Sequence, residues 1–243
     1  MLRRFGLGLL VIALVLAACG RQVTGLGVNN NSIQSGKMLI RFRTLLPQDY
    51  TNFRYVIVFN TSGNGQEPYP QALQTGFLNY SFSFVIGGPT GAVSQPELLQ
   101  YFLAPGTSSG IQTFPIIVPV QLANLVPNTG GSTVGEFTLT FDRTLLFGAN
   151  PGGTPSPVPV ASGATPGPVP TTVGQQSWNI NFITTDTNGI PIDSMGLGGN
   201  RDTTFIFSVN TTLFSDNTYV KPQTVQVSNG AAQITGYEVI NSP

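Results

Sequence analysis

Glu136-Phe137-Thr138-Leu139-Thr140-Phe141-Asp142 carries a bulky apolar side chain at every second position and a polar one between. Successive side chains of a strand point to opposite faces, so this spacing buries Phe137, Leu139 and Phe141 and leaves the others facing water. A helix would need apolar residues three and four apart. The same alternation recurs at Met38, Ile40 and Phe42, at Tyr80, Phe82, Phe84 and Ile86, at Trp178, Ile180 and Phe182, and at Phe205, Phe207 and Val209. Tyr55 to Phe59 is apolar without a break and reads as a strand buried on both faces. Phe114 to Leu122 is interrupted by Pro115 and Pro119, which fits an edge strand or an irregular stretch. Val225, Val227, Ile234, Tyr237 and Val239 suggest a closing hairpin around Ser228-Asn229-Gly230.

With Gly, Asn, Pro and Ser clusters between these runs, the expected fold is all-β: an antiparallel β-sandwich of about nine strands. One short helix is predicted near 95–103, where Ser94-Gln95-Pro96-Glu97 has capping-box form and Pro105-Gly106 supplies a stop. Residues 144–185 carry no charge, and 151–174 hold seven prolines and five glycines. A Pro-rich insertion over 150–175 is therefore expected as a disordered polyproline-like excursion from the domain. Arg43-Thr44-Leu45-Leu46 returns as Arg143-Thr144-Leu145-Leu146, a hint of internal duplication.

Composition removes whole classes of mechanism. The 243 residues include 10 basic, 10 acidic and no histidine. Without imidazole there is no Ser-His-Asp triad and no histidine metal ligand. A single cysteine excludes an internal disulfide and a cysteine zinc site. Zero net charge argues against a nucleic-acid groove.

The N-terminus begins Met1-Leu2-Arg3-Arg4, continues from Phe5 to Ala18 without a charge, and reaches Cys19. A basic start followed by a short apolar stretch is the pattern of a secretory signal, and the stretch is too short to span a bilayer. Leu16-Ala17-Ala18-Cys19 resembles the lipobox of bacterial lipoprotein signal peptides. The resemblance covers residues 1–19 and implies that 1–18 are removed and that Cys19 is acylated and becomes the first mature residue. Gly20, rather than aspartate, follows the cysteine. In a host with two membranes that resemblance favours the outer one. Residues 19–36 then read as a flexible tether and 37–243 as a single domain.

Few residues stand out for chemistry. Asp186-Thr187-Asn188-Gly189-Ile190-Pro191-Ile192-Asp193 offers oxygen ligands in a tight loop, so Asp186, Asn188 and Asp193 are candidate calcium ligands; the bland alternative is an Asx-turn. Glu136 and Asp142 share the outward face of one strand and read as solvated charges rather than as a catalytic pair. Gly196-Leu197-Gly198-Gly199-Asn200 lacks phosphate-loop spacing. A Ser-Lys nucleophile would have to use Lys37 or Lys221, the only lysines. Trp178 has core parity, whereas Tyr69, Tyr101, Tyr219 and Tyr237 are the better candidates for exposed, sugar-stacking rings. The expectation is a non-enzymatic lipoprotein without a cofactor. Its partners would be the membrane, through its lipid anchor, and an envelope protein or polysaccharide. The alternatives are a carbohydrate-binding or calcium-dependent adhesive module and a two-carboxylate hydrolase.

Overall fold

The computed structural model describes residues 33–61, 65–70, 77–87, 95–103, 111–116, 118, 121–127, 133–146, 177–196, 200–201, 207–223 and 226–243. Cys19, the signal segment, Ser94, most of the tether and the Pro-rich insertion lie outside the described residues. The strands, in chain order, are β1 (Lys37–Thr44), β2 (Phe53–Asn60), β3 (Tyr69–Pro70), β4 (Phe77–Leu78), β5 (Phe82–Ile86), β6 (Glu97–Leu103), β7 (Ile111–Ile116) and β8 (Ala123–Pro127). They continue with β9 (Gly135–Asp142), β10 (Ser177–Asp186), β11 (Pro191–Ser194), β12 (Asn200–Arg201), β13 (Phe207–Asn210), β14 (Ser215–Val220) and β15 (Ile234–Asn241). A single 3-10 turn, Arg143–Leu146, follows β9.

The fold is an all-β sandwich. A five-stranded sheet in the order β14-β15-β1-β9-β8 packs on an eight-stranded sheet in the order β12-β11-β10-β2-β5-β6-β7, with β13 also on β10. Pairing is antiparallel except between β11 and β12. The alternation read from the sequence sets which face of each strand turns inward. Met38, Ile40 and Phe42 of β1 and Phe137, Leu139 and Phe141 of β9 meet Tyr55, Ile57 and Phe59 of β2 and Trp178, Ile180 and Phe182 of β10, all fully buried. Rings interlock across the gap between the sheets. Phe42 sits 5.8 Å from both Tyr55 and Phe182, and Phe84 lies 4.8 Å from Phe141. Edge-to-face and offset pairs of this kind add to the area they bury.

β2 and β10 lie at the centre of their sheet and are buried on their outer faces as well. On β10 that outer face carries Asn179, Asn181 and Ile183. The asparagines are satisfied by a strap, residues 65–69, laid over them. Asn60 and Asn179 both donate to the Gln66 carbonyl, at 2.8 and 2.9 Å, and Asn181 donates to the Pro68 carbonyl at 2.9 Å. Buried amides need such partners.

Two local expectations are corrected. The segment predicted as a helix near 95–103 is strand β6, paired with both β5 and β7. Leu98 and Tyr101 each find a burial site on opposite faces of the sheet, and the open edge of β5 offers a whole ladder of hydrogen bonds that outweighs a local capping signal. The closing hairpin does occur, but its arms are β14 and β15; Val227 lies in the connection, and Val225 is outside the described residues. The Lys221 N–H still bonds the Thr235 carbonyl at 2.8 Å, but Pro222 has no N–H with which to continue the ladder, and β14 ends at Val220. By contrast, β2 is the doubly buried strand expected, and β7, with Pro115, forms the edge of its sheet.

The order of the central strands is two-fold symmetric. β1 and β9 pair at the centre of one sheet, flanked by β15 and β8; β2 and β10 pair at the centre of the other, flanked by β5 and β13. Exchanging the first and second halves of the chain maps this pattern onto itself. The repeated tetrapeptide does not mark equivalent places, however. Arg43 lies within β1 and faces outward, while Arg143 opens the 3-10 turn after β9 has ended.

Candidate functional site

The region with the most concentrated polar chemistry is where the two sheets meet beside β11. Lys221 directly follows β14 of the five-stranded sheet, and it shares inward parity with Tyr219. Asp193 is on β11 of the eight-stranded sheet, opposite Thr184. Their side chains are each 1% exposed, and Lys221 Nζ lies 2.5 Å from Asp193 Oδ1. Nζ also donates to the Ser194 carbonyl at 3.0 Å. Backbone N–H groups complete the carboxylate's shell: Ser194 to Oδ1 and Ile234 to Oδ2, both at 2.8 Å. Next to it, Thr184 donates its hydroxyl to the Ala232 carbonyl at 2.6 Å and Tyr55 donates to the Ala231 carbonyl at 3.0 Å. Burial pushes the Asp193 carboxyl above its ordinary value; the Lys221 charge and the three hydrogen bonds oppose that rise. A buried ion pair gains little net stability, but breaking it strands a charge in the core.

The candidate calcium ligands divide. Asp186 and Asn188 stay together in a turn between β10 and β11, where Asp186 Oδ1 accepts from the N–H groups of Asn188 at 2.9 Å and Ile190 at 2.8 Å. That is Asx-turn bonding, with Gly189 taking the left-handed φ of +85°. Asp193 points into the core, and both of its oxygens are held by the groups above. Among the described residues no three His, Cys, Asp or Glu side chains come together.

Four further acids, Glu238, Glu136, Asp142 and Asp49, are tied to the framework. On the outer face of the five-stranded sheet Arg41 pairs with Glu238, and Arg43 bonds Glu136 at 2.7 Å and approaches Glu238 at 3.6 Å. These bridges run across β15, β1 and β9, the three middle strands. Glu136 is thus a cross-strand partner, and Asp142 accepts from the backbone and hydroxyl of Thr144 at 2.9 and 2.6 Å. Asp49 caps the turn before β2; bonding from Asn52 holds its carboxyl below the ordinary value.

Trp178 is in the core, as its parity requires. Two of the tyrosines expected at the surface are not there. Tyr237 is stacked 4.6 Å from Phe182, and Tyr101 is buried with its hydroxyl 2.8 Å from Ser83 Oγ. Tyr69 and Tyr219 are half-buried. Among the exposed apolar side chains, Leu213 and Phe214 precede β14 and Val220 ends it; Leu45, Leu46, Val126, Val134 and Ile190 are exposed elsewhere. β14 closes the five-stranded sheet and contains neither proline nor lysine, the residues that usually protect an edge, and the lysine that follows it is turned inward.

The Lys221–Asp193 pairing is the feature that sequence reading missed. One signal was present, its rarity: Lys221 is one of two lysines in the chain. Compared with family models, curated proteins and solved structures, the chain matches none.

Proposed function

We propose that this chain is a lipid-anchored envelope protein whose β-sandwich has a structural or partner-binding role rather than a catalytic one. The observation that carries the reading is Leu16-Ala17-Ala18-Cys19 at the end of a basic-then-apolar N-terminus. Two or three acyl chains on Cys19 would fix the domain to a bilayer, since each buried methylene contributes about 0.8 kcal/mol. The distribution of charge supports the non-catalytic part. Asp193, Glu136 and Glu238 are paired with cations, and Asp49, Asp142 and Asp186 brace their own turns. A protein partner is better suited than a polyion to this neutral surface. The β14 edge fits an extended polypeptide segment, which would add a strand by main-chain hydrogen bonds while Phe214 and Val220 cover its side chains.

The test is metabolic labelling of the full chain with an alkyne fatty acid in a bacterial host, with Cys19→Ser alongside. Label on the wild type that disappears in the variant, with loss of membrane association, is the expected result. An unlabelled wild type, or a variant labelled equally well, overturns the reading.

A further inference from the structure

We propose that Lys221 and Asp193 become joined by an intramolecular amide: Nζ bonds to the Asp193 carboxyl carbon, one water leaves, and the two sheets are stitched together through the core. The reactants are already in place. Nζ lies 2.5 Å from Oδ1, so the carbon it would attack is one covalent bond further on, and both side chains are 1% exposed. Held in this way, the two groups need no diffusional encounter, and a reaction slow in water becomes an intramolecular one.

The step balances without any added reagent. A proton passes from the ammonium to the carboxylate, giving an amine and a carboxylic acid. Burial pushes the Asp193 carboxyl towards its protonated form, the direction this transfer needs. The nitrogen lone pair forms the C–N bond and a tetrahedral centre. The C–O bond then breaks, and two of the three original ammonium protons depart with that oxygen as water; the third remains on the amide nitrogen. No atom changes oxidation state.

The surrounding groups suit both the transition state and the product. The Ile234 N–H, 2.8 Å from Oδ2, would stabilise the oxyanion and afterwards hold the amide oxygen. The Ser194 carbonyl, 3.0 Å from Nζ, would accept the amide N–H. Oδ1, the oxygen facing Nζ and bonded by the Ser194 N–H, is then the one that leaves. Exclusion of water protects the product from hydrolysis. The bond would do for this chain what a disulfide does elsewhere, since its single cysteine, Cys19, cannot make one internally. The inference is independent of whether Cys19 carries lipid.

Peptide mapping of the purified full-length protein decides it. Trypsin cuts after Arg143 and Arg201 and leaves the Lys221–Pro222 bond intact, so Asp193 falls in peptide 144–201 and Lys221 in peptide 202–243. The expected result, after complete unfolding and digestion, is one branched species with the summed mass less one water, and fragment ions that place the link at Asp193 and Lys221. Lys221→Met and Asp193→Ala should each return the two peptides separately. Recovery of both separate peptides from the wild type, in full yield and with Asp193 and Lys221 unmodified, overturns the proposal. That wild-type measurement stands even if neither variant folds.

Discussion

Replacing Asn181 by alanine tests how the outer face of the eight-stranded sheet is held. Asn181 is wholly buried; its Nδ2 donates to the Pro68 carbonyl at 2.9 Å, and its Oδ1 accepts from the Gly196 N–H at 3.0 Å. Alanine removes both of these bonds together with a third, the one Oδ1 accepts from the Phe182 N–H at 2.8 Å, and leaves a carbonyl and two N–H groups without those partners. Each stranded group costs about 1–3 kcal/mol, so the expected loss is about 3 kcal/mol after partial entry of water. For a domain of this size that lowers Tm by roughly 6–12 °C. The neighbouring position behaves differently. Asn60 and Asn179 donate to the same Gln66 carbonyl, so deleting the Asn60 amide leaves that acceptor with a second donor. Asn60→Ala is therefore expected to cost only about 1 kcal/mol, while Asn60→Ala with Asn179→Ala costs more than the two single changes added together. Urea unfolding supplies the energies. Hydrogen exchange supplies the location: the Gly196 amide should open in Asn181→Ala, while β1 and β9 stay protected. A loss below about 1 kcal/mol for Asn181→Ala, or faster exchange spread evenly through both sheets, refutes this account of the strap.

Two further outcomes are expected. Gly236→Ala would place a Cβ 2.3 Å from the Tyr219 carbonyl oxygen at the bulge where Arg43 pairs with Gly236 and Thr44 with Ile234. Backbone must move to admit it, so a loss of about 1–3 kcal/mol in urea unfolding is expected, and an unchanged midpoint would show that the strand gives way freely. Burial pushes the phenols of Tyr50 and Tyr101 up to about 12, and those of Tyr55, Tyr80 and Tyr237 upward as well. An unfolded chain ionises its tyrosines near pH 10, so it sheds protons before the native state does. The stabilisation these phenols contribute is therefore complete below pH 10 and falls as pH rises from there past 12. Tyrosinate absorbance and loss of β-sheet circular dichroism should rise together in that window; ionisation of the buried tyrosines near pH 10 in an intact fold would contradict it.

The sandwich was legible because one physical rule, alternate burial along a strand, acts locally and leaves its mark in residues such as Phe137, Leu139 and Phe141. The same rule placed Trp178 inside and identified β2 as buried on both faces. It failed where partners from elsewhere in the chain decide the outcome. Glu97–Leu103 has helix-like capping before it, yet the edges of β5 and β7 claim it. Tyr101 and Tyr237 look like surface rings until Ser83 and Phe182 are brought against them. The candidate site follows the same division. The Asx-turn at Asp186 is local and could be read directly, whereas Asp193 and Lys221 are partners across 28 positions and two sheets, a pairing that no spacing rule encodes.

The strand order also bears on how the molecule could be divided. A backbone cut anywhere in 147–176 gives a first fragment that retains β1, β2 and β5–β9 and a second that retains β10, β11 and β13–β15. Neither has a finished sheet. Yet the ladders of β1 with β15 and of β2 with β10 both run from one fragment to the other, in different layers, with the aromatic core between them. The nicked protein is thus built to remain a single particle, and pieces produced separately carry the complementary edges needed for reassembly, as in a split reporter whose halves recognise each other by the strands each one lacks.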